Sequence, residues 1–264
     1  MKTILFITLC ILSFETLAQD TPIDSIVKDV NELNGLRLKN MFETERDFVF
    51  NQFDSAVTRM FEHPDICNYI PDTAYYYIEY NPSFEDLSMQ YYMLNFANNI
   101  VICNSEDNRL RVYSWDDLGG GSAHSYHNYL QYEKGIGTCE IIEIDTAEFS
   151  LSVGYYDIKS INDNGQIYYF LFGYGTYGSG LHHMNMRIFT IIDDELIECI
   201  SCYPEVKAIE LFSNRSQELF IKLNEDTNEL SLKKYVYDED IDFYTKEFKI
   251  VKYKFKDKKL GPVK

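Results

Sequence analysis

The chain has 264 residues, of which 45% are apolar and 16% are aromatic, and 22 of them are tyrosines. This length can bury a large core, either as one large all-β domain or as a small helical unit joined to a β domain. The formal net charge of −18 repels a phosphate backbone, so we expect no nucleic-acid partner.

The first twenty residues predict an exported protein. Lys2 precedes an apolar run from Ile4 to Phe14, and Thr16-Leu17-Ala18 provides the small residues of a signal-peptide cleavage site. We therefore expect a signal peptide over residues 1–18, cleavage after Ala18, and a secreted or periplasmic mature protein. The apolar run is shorter than the roughly 20 residues that a transmembrane helix needs, and no later stretch is comparably apolar. No membrane span is expected after cleavage.

Residues 19–70 predict an N-terminal helical segment. A shorter helix is expected from about Ile23 to Leu33, followed by an amphipathic helix that ends before Pro64. The apolar positions of the second helix recur at steps of three and four residues, which places them on one face. They are Phe42, Val49, Phe53, Ala56, Val57, Met60 and Phe61.

Residues 71–264 predict an antiparallel β domain, because the apolar period changes to two after about Tyr75. The clearest hairpin runs from Asn99 to Cys103, turns at Ser105 to Asn108 and returns from Leu110 to Trp115. Asn- and Asp-rich turns are also expected at residues 162–165, 193–194, 213–216 and 224–228. The predicted fold is mainly β (α+β), with a helical pair before a large antiparallel β-meander. A sandwich, an open barrel and a propeller-like arrangement remain open.

The C-terminal stretch from Lys246 to Lys259 alternates lysines with aromatic and aliphatic residues. This alternation predicts an edge strand protected by lysines better than it predicts a basic nucleic-acid patch.

The stretch Gly173-Tyr-Gly175-Thr-Tyr-Gly178 has the letters of a dinucleotide-binding loop. Such a loop needs a helix that begins at the glycines, and only Ser179 to Met186 separate them from the next predicted strand. A crossover takes about a dozen residues or more, so we interpret the glycines as a flexible hairpin loop. We expect no cofactor.

The other short motifs also have plain interpretations. Five of the six cysteines lie beyond the signal peptide, so at least one thiol is unpaired. Cys199-Ile-Ser-Cys202 has redox or metal spacing without a second pair, which favours buried cysteines or a local disulfide. In the acidic stretch Asp238 to Asp242, Phe243 stands where a calcium loop of the EF-hand type needs glycine, so a solvated acidic turn is expected.

Two glycine-rich stretches with histidines are the best candidates for a binding loop, because loops at one end of a sheet often share a site. The histidines can serve as metal ligands, as acid–base groups, as ligand contacts without chemistry, or only as structural residues. A strand that already includes His124 would point His127 to the opposite face. The candidate residues are Trp115, Asp116, Gly120, Gly121, His124, His127, His182 and His183.

This region resembles a group of uncharacterised exported bacterial proteins. The shared pattern is a Ser-x-Asp turn at Ser105, a strand that ends in Trp115-Asp116, a Gly-Gly-Ser-x-His loop ending at His124, and a Gln-Tyr strand at Gln131-Tyr132. The resemblance covers about a third of the chain clearly and implies no activity. It selects Asp116, Gly120, Gly121 and His124 as the positions to test first.

These observations favour a secreted or periplasmic binding module without catalytic activity, whose partner is a glycan or another envelope component. One alternative is a secreted hydrolase or metal-dependent enzyme centred on the His124 loop. Another is a structural partner in an envelope assembly, which predicts an exposed apolar patch on the Phe48 to Phe61 helix. An enzyme should bring His124 together with a carboxylate and a second histidine, whereas a binding module should expose tyrosines.

Overall fold

The fold is known from a computed structural model, which describes residues 21–70, 99–118, 124–144, 152–177, 180–203 and 209–263. The chain divides into two compact units, Met1–Tyr75 and Tyr76–Lys264. The signal-peptide prediction and part of the predicted helix-to-sheet junction lie outside the described residues.

The first unit contains the helices α1 (Ile23–Lys39) and α2 (Arg46–Phe61) and a 3-10 helix at Ile66–Asn68. Helix α1 continues about two turns beyond its predicted end. A buried polar pair explains this extension, because Arg37 Nη1 donates to Asn34 Oδ1 at 2.8 Å and the guanidinium lies 4.2 Å from the centre of the Phe53 ring. The continued helix thus gives the buried guanidinium a hydrogen bond and an aromatic contact.

Helix α2 begins later than predicted, so Phe42 precedes it and is 91% exposed. Val49, Phe53, Ala56, Val57 and Met60 of the predicted apolar face are buried, and Phe61 is partly buried. Phe48 is 64% exposed. No helix in the described part of the chain is both long and apolar enough to cross a membrane.

The second unit contains three antiparallel sheets. Within each sheet, strands that follow one another in the chain are paired, and β9 is the exception among the described strands. The first sheet has the order β1-β2-β3-β4, the second has β5-β6-β7-β8 with β9 also paired to β7, and the third has β10-β11-β12-β13. A 3-10 helix at Ile200–Cys202 follows β8. The strands are β1 (Val101–Asn104), β2 (Leu110–Asp116), β3 (Tyr126–Glu133), β4 (Cys139–Glu143), β5 (Gly154–Asp163), β6 (Gln166–Tyr177), β7 (Leu181–Ile192), β8 (Glu195–Glu198), β9 (Ile209–Asn214), β10 (Ile221–Asn224), β11 (Glu229–Asp238), β12 (Phe243–Lys256) and β13 (Lys259–Pro262).

The second sheet is apolar on both faces and therefore contributes to two cores. Alternate residues of β6 divide between them: Tyr169 and Leu171 pack with Leu110 and Val112 of the first sheet. Phe170 and its alternate neighbours pack with residues of the third sheet. This arrangement explains why the β6 sequence is a continuous apolar run instead of an alternating one.

The predicted fold class is confirmed, since two N-terminal helices precede antiparallel sheets that form most of the described chain. None of the described sheets closes into a barrel, and the stacked sheets agree with the sandwich alternative.

The lysine-rich strand was only partly predicted. Strand β12 pairs with β11 along most of its length, but β13 covers its other side from Tyr253 to Lys256, so that end is not an edge. A β-bulge opposite Tyr235 and Tyr237 interrupts the remaining, uncovered part. Lysines and a bulge are both features that protect sheet edges.

Candidate functional site

Five segments of the second unit meet at one end of the first two sheets. They are the end of β2, the start of β3, the start of β5, the β6–β7 turn and the end of β9. The amide of Tyr126 in β3 donates to Ser152 Oγ at 2.8 Å, and Asn128 Nδ2 donates to the Val153 carbonyl at 2.8 Å. These bonds join the first sheet to the second at this end. We call the region the sheet-end site.

Asp116 and His124 form the centre of the sheet-end site. Asp116 is the last residue of β2 and is fully buried, and its Oδ2 is hydrogen-bonded to His124 Nδ1. Its Oδ1 accepts a hydrogen bond from the amide of Leu118 at 2.7 Å. Leu118 has a φ of 61°, a left-handed conformation that aliphatic residues rarely adopt. The carboxylate therefore holds both ends of the glycine-rich stretch between β2 and β3.

His124 precedes β3, which begins at Tyr126, so His124 is not bound by the strand alternation that raised doubt about its direction. About 20% of its side chain is exposed, although its partner Asp116 is buried. The Asp116 hydrogen bond raises the pKa of His124, and partial burial of the ring opposes that increase. Because Nδ1 faces Asp116, Nε2 is the ring nitrogen that remains for a ligand or a proton transfer.

The sequence analysis placed His182 and His183 in a binding loop, and this prediction was wrong. Both are buried residues of the strand β7. The Tyr174 hydroxyl is hydrogen-bonded to His182 Nδ1, whereas the His183 ring stacks on Phe212 at 5.9 Å. Burial lowers the pKa of each of these two histidines to about 4, so both are neutral at pH 7. Neither imidazole is accessible to a ligand in this conformation.

The glycines before these histidines were also placed wrongly in a flexible loop. Strand β6 continues to Tyr177, so Gly173 and Gly175 lie inside it. An added Cβ at Gly175 would lie 2.4 Å from the Ser152 carbonyl oxygen and 2.5 Å from His183 Cε1. One at Gly173 would lie 2.6 Å from Val153 Cγ2. Gly173 and Gly175 are therefore required for close packing, whereas Gly178 lies outside the described residues. The next described element is the strand β7, which begins at Leu181.

Trp115 and His127 lie away from the Asp116–His124 pair. They face each other across β2 and β3, stacked at 5.4 Å, and Trp115 also stacks on Tyr129 at 5.3 Å. Since side chains alternate along a strand, Trp115 and Asp116 point to opposite faces of the first sheet. His127 Nδ1 lies 3.6 Å from Glu143 Oε1, and Trp115 is only 4% exposed.

The eight candidate residues thus do not form one cluster. The structure brings Asp116 and His124 together at one end of the first sheet, whereas His182 and His183 are buried in β7 of the second sheet. Gly120 and Gly121 lie outside the described residues. Across the described ranges, no three His, Cys, Asp or Glu side chains are grouped so that they could hold a metal ion.

Arg215 was missed by the sequence reasoning. It follows β9, its side chain is exposed, and its amide donates to the Gly180 carbonyl in the β6–β7 turn at 3.0 Å. Its positive charge acts to lower the pKa of both His124 and His182, which places it beside both. No local motif marks Arg215, because only the pairing of β9 with β7 brings it to the sheet-end site.

Comparison of the sequence with protein-family models and with curated proteins found no match.

Proposed function

We propose that this protein is an exported binding module whose sheet-end site takes a glycan or another envelope component. The observation that carries the proposal is the Asp116–His124 pair, in which a buried carboxylate orients an imidazole that still reaches solvent. A histidine needed only for packing would be buried, as His182 and His183 are. An oriented, partly exposed imidazole can instead exchange hydrogen bonds with hydroxyl or amide groups of a ligand.

The test is binding of soluble oligosaccharides from bacterial envelopes to the purified protein, followed by calorimetry and by NMR of the histidine rings. We expect the ring signals of His124 to shift on binding and His124→Ala to weaken binding at least tenfold. His127→Ala is the matched control, because His127 is also a partly exposed histidine of the same region but faces the other side of the sheet. Equal affinity of both variants and the unchanged protein would contradict the proposal.

Hydrolysis is a second candidate function, favoured by the orientation of the same pair. A carboxylate bonded to Nδ1 fixes the tautomer in which Nε2 can accept a proton from water or a hydroxyl group. Asp116→Asn would then lower the rate of oligosaccharide cleavage by two or more orders of magnitude. Binding of the same oligosaccharides without any cleavage by the unchanged protein would exclude this candidate in favour of the binding module.

A further inference from the structure

The third sheet has one face against a core and one face toward solvent. Leu230, Leu232 and Phe255 point into the core that this sheet shares with the second sheet. Because successive side chains of a strand point to opposite faces, the residues between these three point the other way. We call this solvent-facing side of the third sheet the outer face.

Lysines are grouped at one end of the outer face. The strand register places Lys222 of β10, Ser231 of β11 and Lys252 of β12 in one row across the sheet. Lys256 of β12 and Lys259 of β13 pair with each other in a later row. Alternate residues of a strand lie about 7 Å apart and neighbouring strands about 4.8 Å apart, so the lysines stand in a flat array. We call this array the lysine grid, and its members, all exposed, are Lys222, Lys252, Lys254, Lys256 and Lys259.

The positive charge of the lysine grid is largely uncompensated. Within the described ranges, Lys256 is the one member that forms an ion pair, with its chain neighbour Asp257 at 3.9 Å. These two side chains are 74% and 75% exposed, and ion pairs so exposed contribute little. Glu229 is the carboxylate that lies within the grid, opposite Lys254. The grid is therefore locally positive on a chain whose net charge is −18.

The other end of the outer face is apolar. Phe248 and Ile250 are 52% and 47% exposed. They lie on the same face as Lys252, because the register of β12 has no shift between these positions. Lys233 adjoins this end, but its Nζ lies 4.6 Å from the centre of the Phe248 ring and 3.2 Å from Glu218 Oε2. The charge of Lys233 is thus compensated inside the protein, and the apolar end stays distinct from the grid.

A face with lysines at one end and exposed apolar side chains at the other fits the surface of an anionic lipid bilayer. A soluble anion would use the lysines alone, whereas rings and aliphatic side chains contribute where they enter the boundary between headgroups and acyl chains. Each lysine close to an anionic leaflet strengthens binding about fivefold. Salt screens the acidic remainder of the chain beyond about 8 Å at physiological ionic strength, so the lysines in contact dominate.

We propose that the outer face of the third sheet binds the surface of an anionic phospholipid membrane. Phe248 and Ile250 enter the headgroup region, and the lysine grid contacts the phosphate groups. This surface shares no residue with the Asp116–His124 pair. The inference therefore goes beyond the proposed function and does not depend on it.

The test is sedimentation of the full chain with two kinds of vesicle, one of phosphatidylcholine alone and one of phosphatidylcholine and phosphatidylglycerol in equal parts. We expect binding to the mixed vesicles only. Raising sodium chloride from about 0.1 M to about 1 M should remove most of this binding, because the screening length falls from about 10 Å to about 3 Å.

The double variant Lys252→Gln/Lys254→Gln should weaken binding to the mixed vesicles by about tenfold or more. Lys234→Gln/Lys249→Gln is the matched control, because it removes the same charge from the same two strands. Lys234 and Lys249 are exposed and pair with each other on the opposite face of the sheet. Equal losses in the two double variants would show a general effect of charge and would overturn the outer face as the contact.

Phe248→Ala tests the apolar end and should weaken binding to the mixed vesicles severalfold. Phe243→Ala is its control, since Phe243 is 43% exposed in the same strand but lies over Gly180 in the β6–β7 turn. Circular dichroism establishes that each variant is folded. Soluble polyphosphate is the competing probe. If it binds as tightly as the mixed vesicles and Phe248→Ala leaves both unchanged, the partner is a soluble polyanion and the membrane proposal is wrong.

The remaining outcomes separate this inference from the proposed function. His124→Ala should bind the mixed vesicles like the unchanged protein, even where it loses oligosaccharide binding. Failure of oligosaccharide binding would therefore leave the membrane surface intact. Absence of sedimentation with the mixed vesicles would overturn the membrane surface and leave the sheet-end site untouched.

Discussion

Gly175 shows how a single hydrogen atom in place of a side chain can determine local packing. The His183 ring and the Ser152 carbonyl occupy the space that a Cβ would need. We expect Gly175→Ala to lower the free energy of unfolding by about 2 kcal/mol or more, because either the backbone at Ser152 or the His183 ring must move. Urea denaturation measures this change.

Gly261→Ala is the control for that substitution. Its added Cβ would meet only the Lys254 carbonyl oxygen, at 4.0 Å, so we expect a change of less than about 1 kcal/mol. Similar effects of the two substitutions would show that backbone freedom, and not the close contact, is what the β6 glycine provides.

His183 should make stability depend on pH. Its pKa is about 4 in the folded protein, below the ordinary value of about 6.5, because burial disfavours the charged ring. As the pH falls from 6.5 toward 4, the unfolded chain binds a proton that the folded protein does not bind. The free energy of unfolding therefore falls over that window, by about 2 kcal/mol from this group at pH 4.5.

The measurement is the difference in unfolding free energy between pH 7 and pH 4.5, for the unchanged protein and for His183→Leu. The variant should lose less stability, since leucine does not titrate. An unchanged pH dependence in His183→Leu would show that other groups cause the acid sensitivity.

The sequence analysis identified Asp116 and His124 as neighbouring candidate residues, as the structure has them, but it placed His182 and His183 in a loop of the same site, which was wrong. The two positions lie eight residues apart on either side of one glycine-rich stretch, so a local motif can mark them. His182 and His183 also follow glycines, but a two-residue alternation alone cannot say that both faces of their strand are buried. Burial on both faces depends on how three sheets stack, which no local pattern records.

At the scale of strands and turns, the positions of Asn and Asp residues led to most of the correct turn predictions. Asn108, Asn164, Asp193 and Asn228 all have positive φ values, and each lies at a turn that the sequence predicted. These side chains tolerate the left-handed conformation better than most residues do, so their positions identify turns directly. Glycine is less informative, because Gly173 and Gly175 serve packing inside a strand instead of a turn.

The sequence left buried cysteines or a local disulfide as alternatives for Cys199 and Cys202, and the structure contains the disulfide, while Cys103 carries a free thiol. The disulfide closes the short turn after β8. The hydroxyl of the next residue, Tyr203, accepts a hydrogen bond from the amide of Ile188 at 2.6 Å. The disulfide therefore stabilises the segment in which the chain leaves β8, before β9 returns to pair with β7.

Replacing both Cys199 and Cys202 by alanine should lower the free energy of unfolding by about 2 kcal/mol, the chain-entropy value for so short a loop. Thermal and urea unfolding provide the measurement. Cys103→Ala is the control, because it removes a partly exposed thiol without opening a cross-link. If the double variant unfolds like the unchanged protein, the turn is held by Tyr203 and its neighbours alone.

For the whole molecule, the net charge of −18 should make stability depend on salt. Like charges repel in the compact state, and salt screens them over a distance of about 10 Å at 0.1 M. We expect the melting temperature to rise as sodium chloride increases from 10 to roughly 200 mM. A melting temperature that falls over this range would show that attractive ion pairs, such as Arg187 with Glu198, outweigh the general repulsion.

The overall architecture could be predicted only as far as its class. Hydrophobic periods of 3.6 and 2 distinguished the helical part from the β part, and those periods are local properties of the sequence. The assignment of strands to three sheets was not predictable, because β7 accepts both β8 and β9 along one edge. That choice depends on contacts between residues far apart in the chain.

The opposite orientations of His182 and His183 give the molecule two neighbouring probes of two separate cores. The His182 ring lies beside the core between the second and third sheets. The His183 ring lies on the opposite face of β7, toward the core between the first and second sheets. Their ring protons can be followed as separate NMR signals during gradual denaturation. If one layer loosens before the other, one histidine will begin to titrate normally while its sequence neighbour still does not.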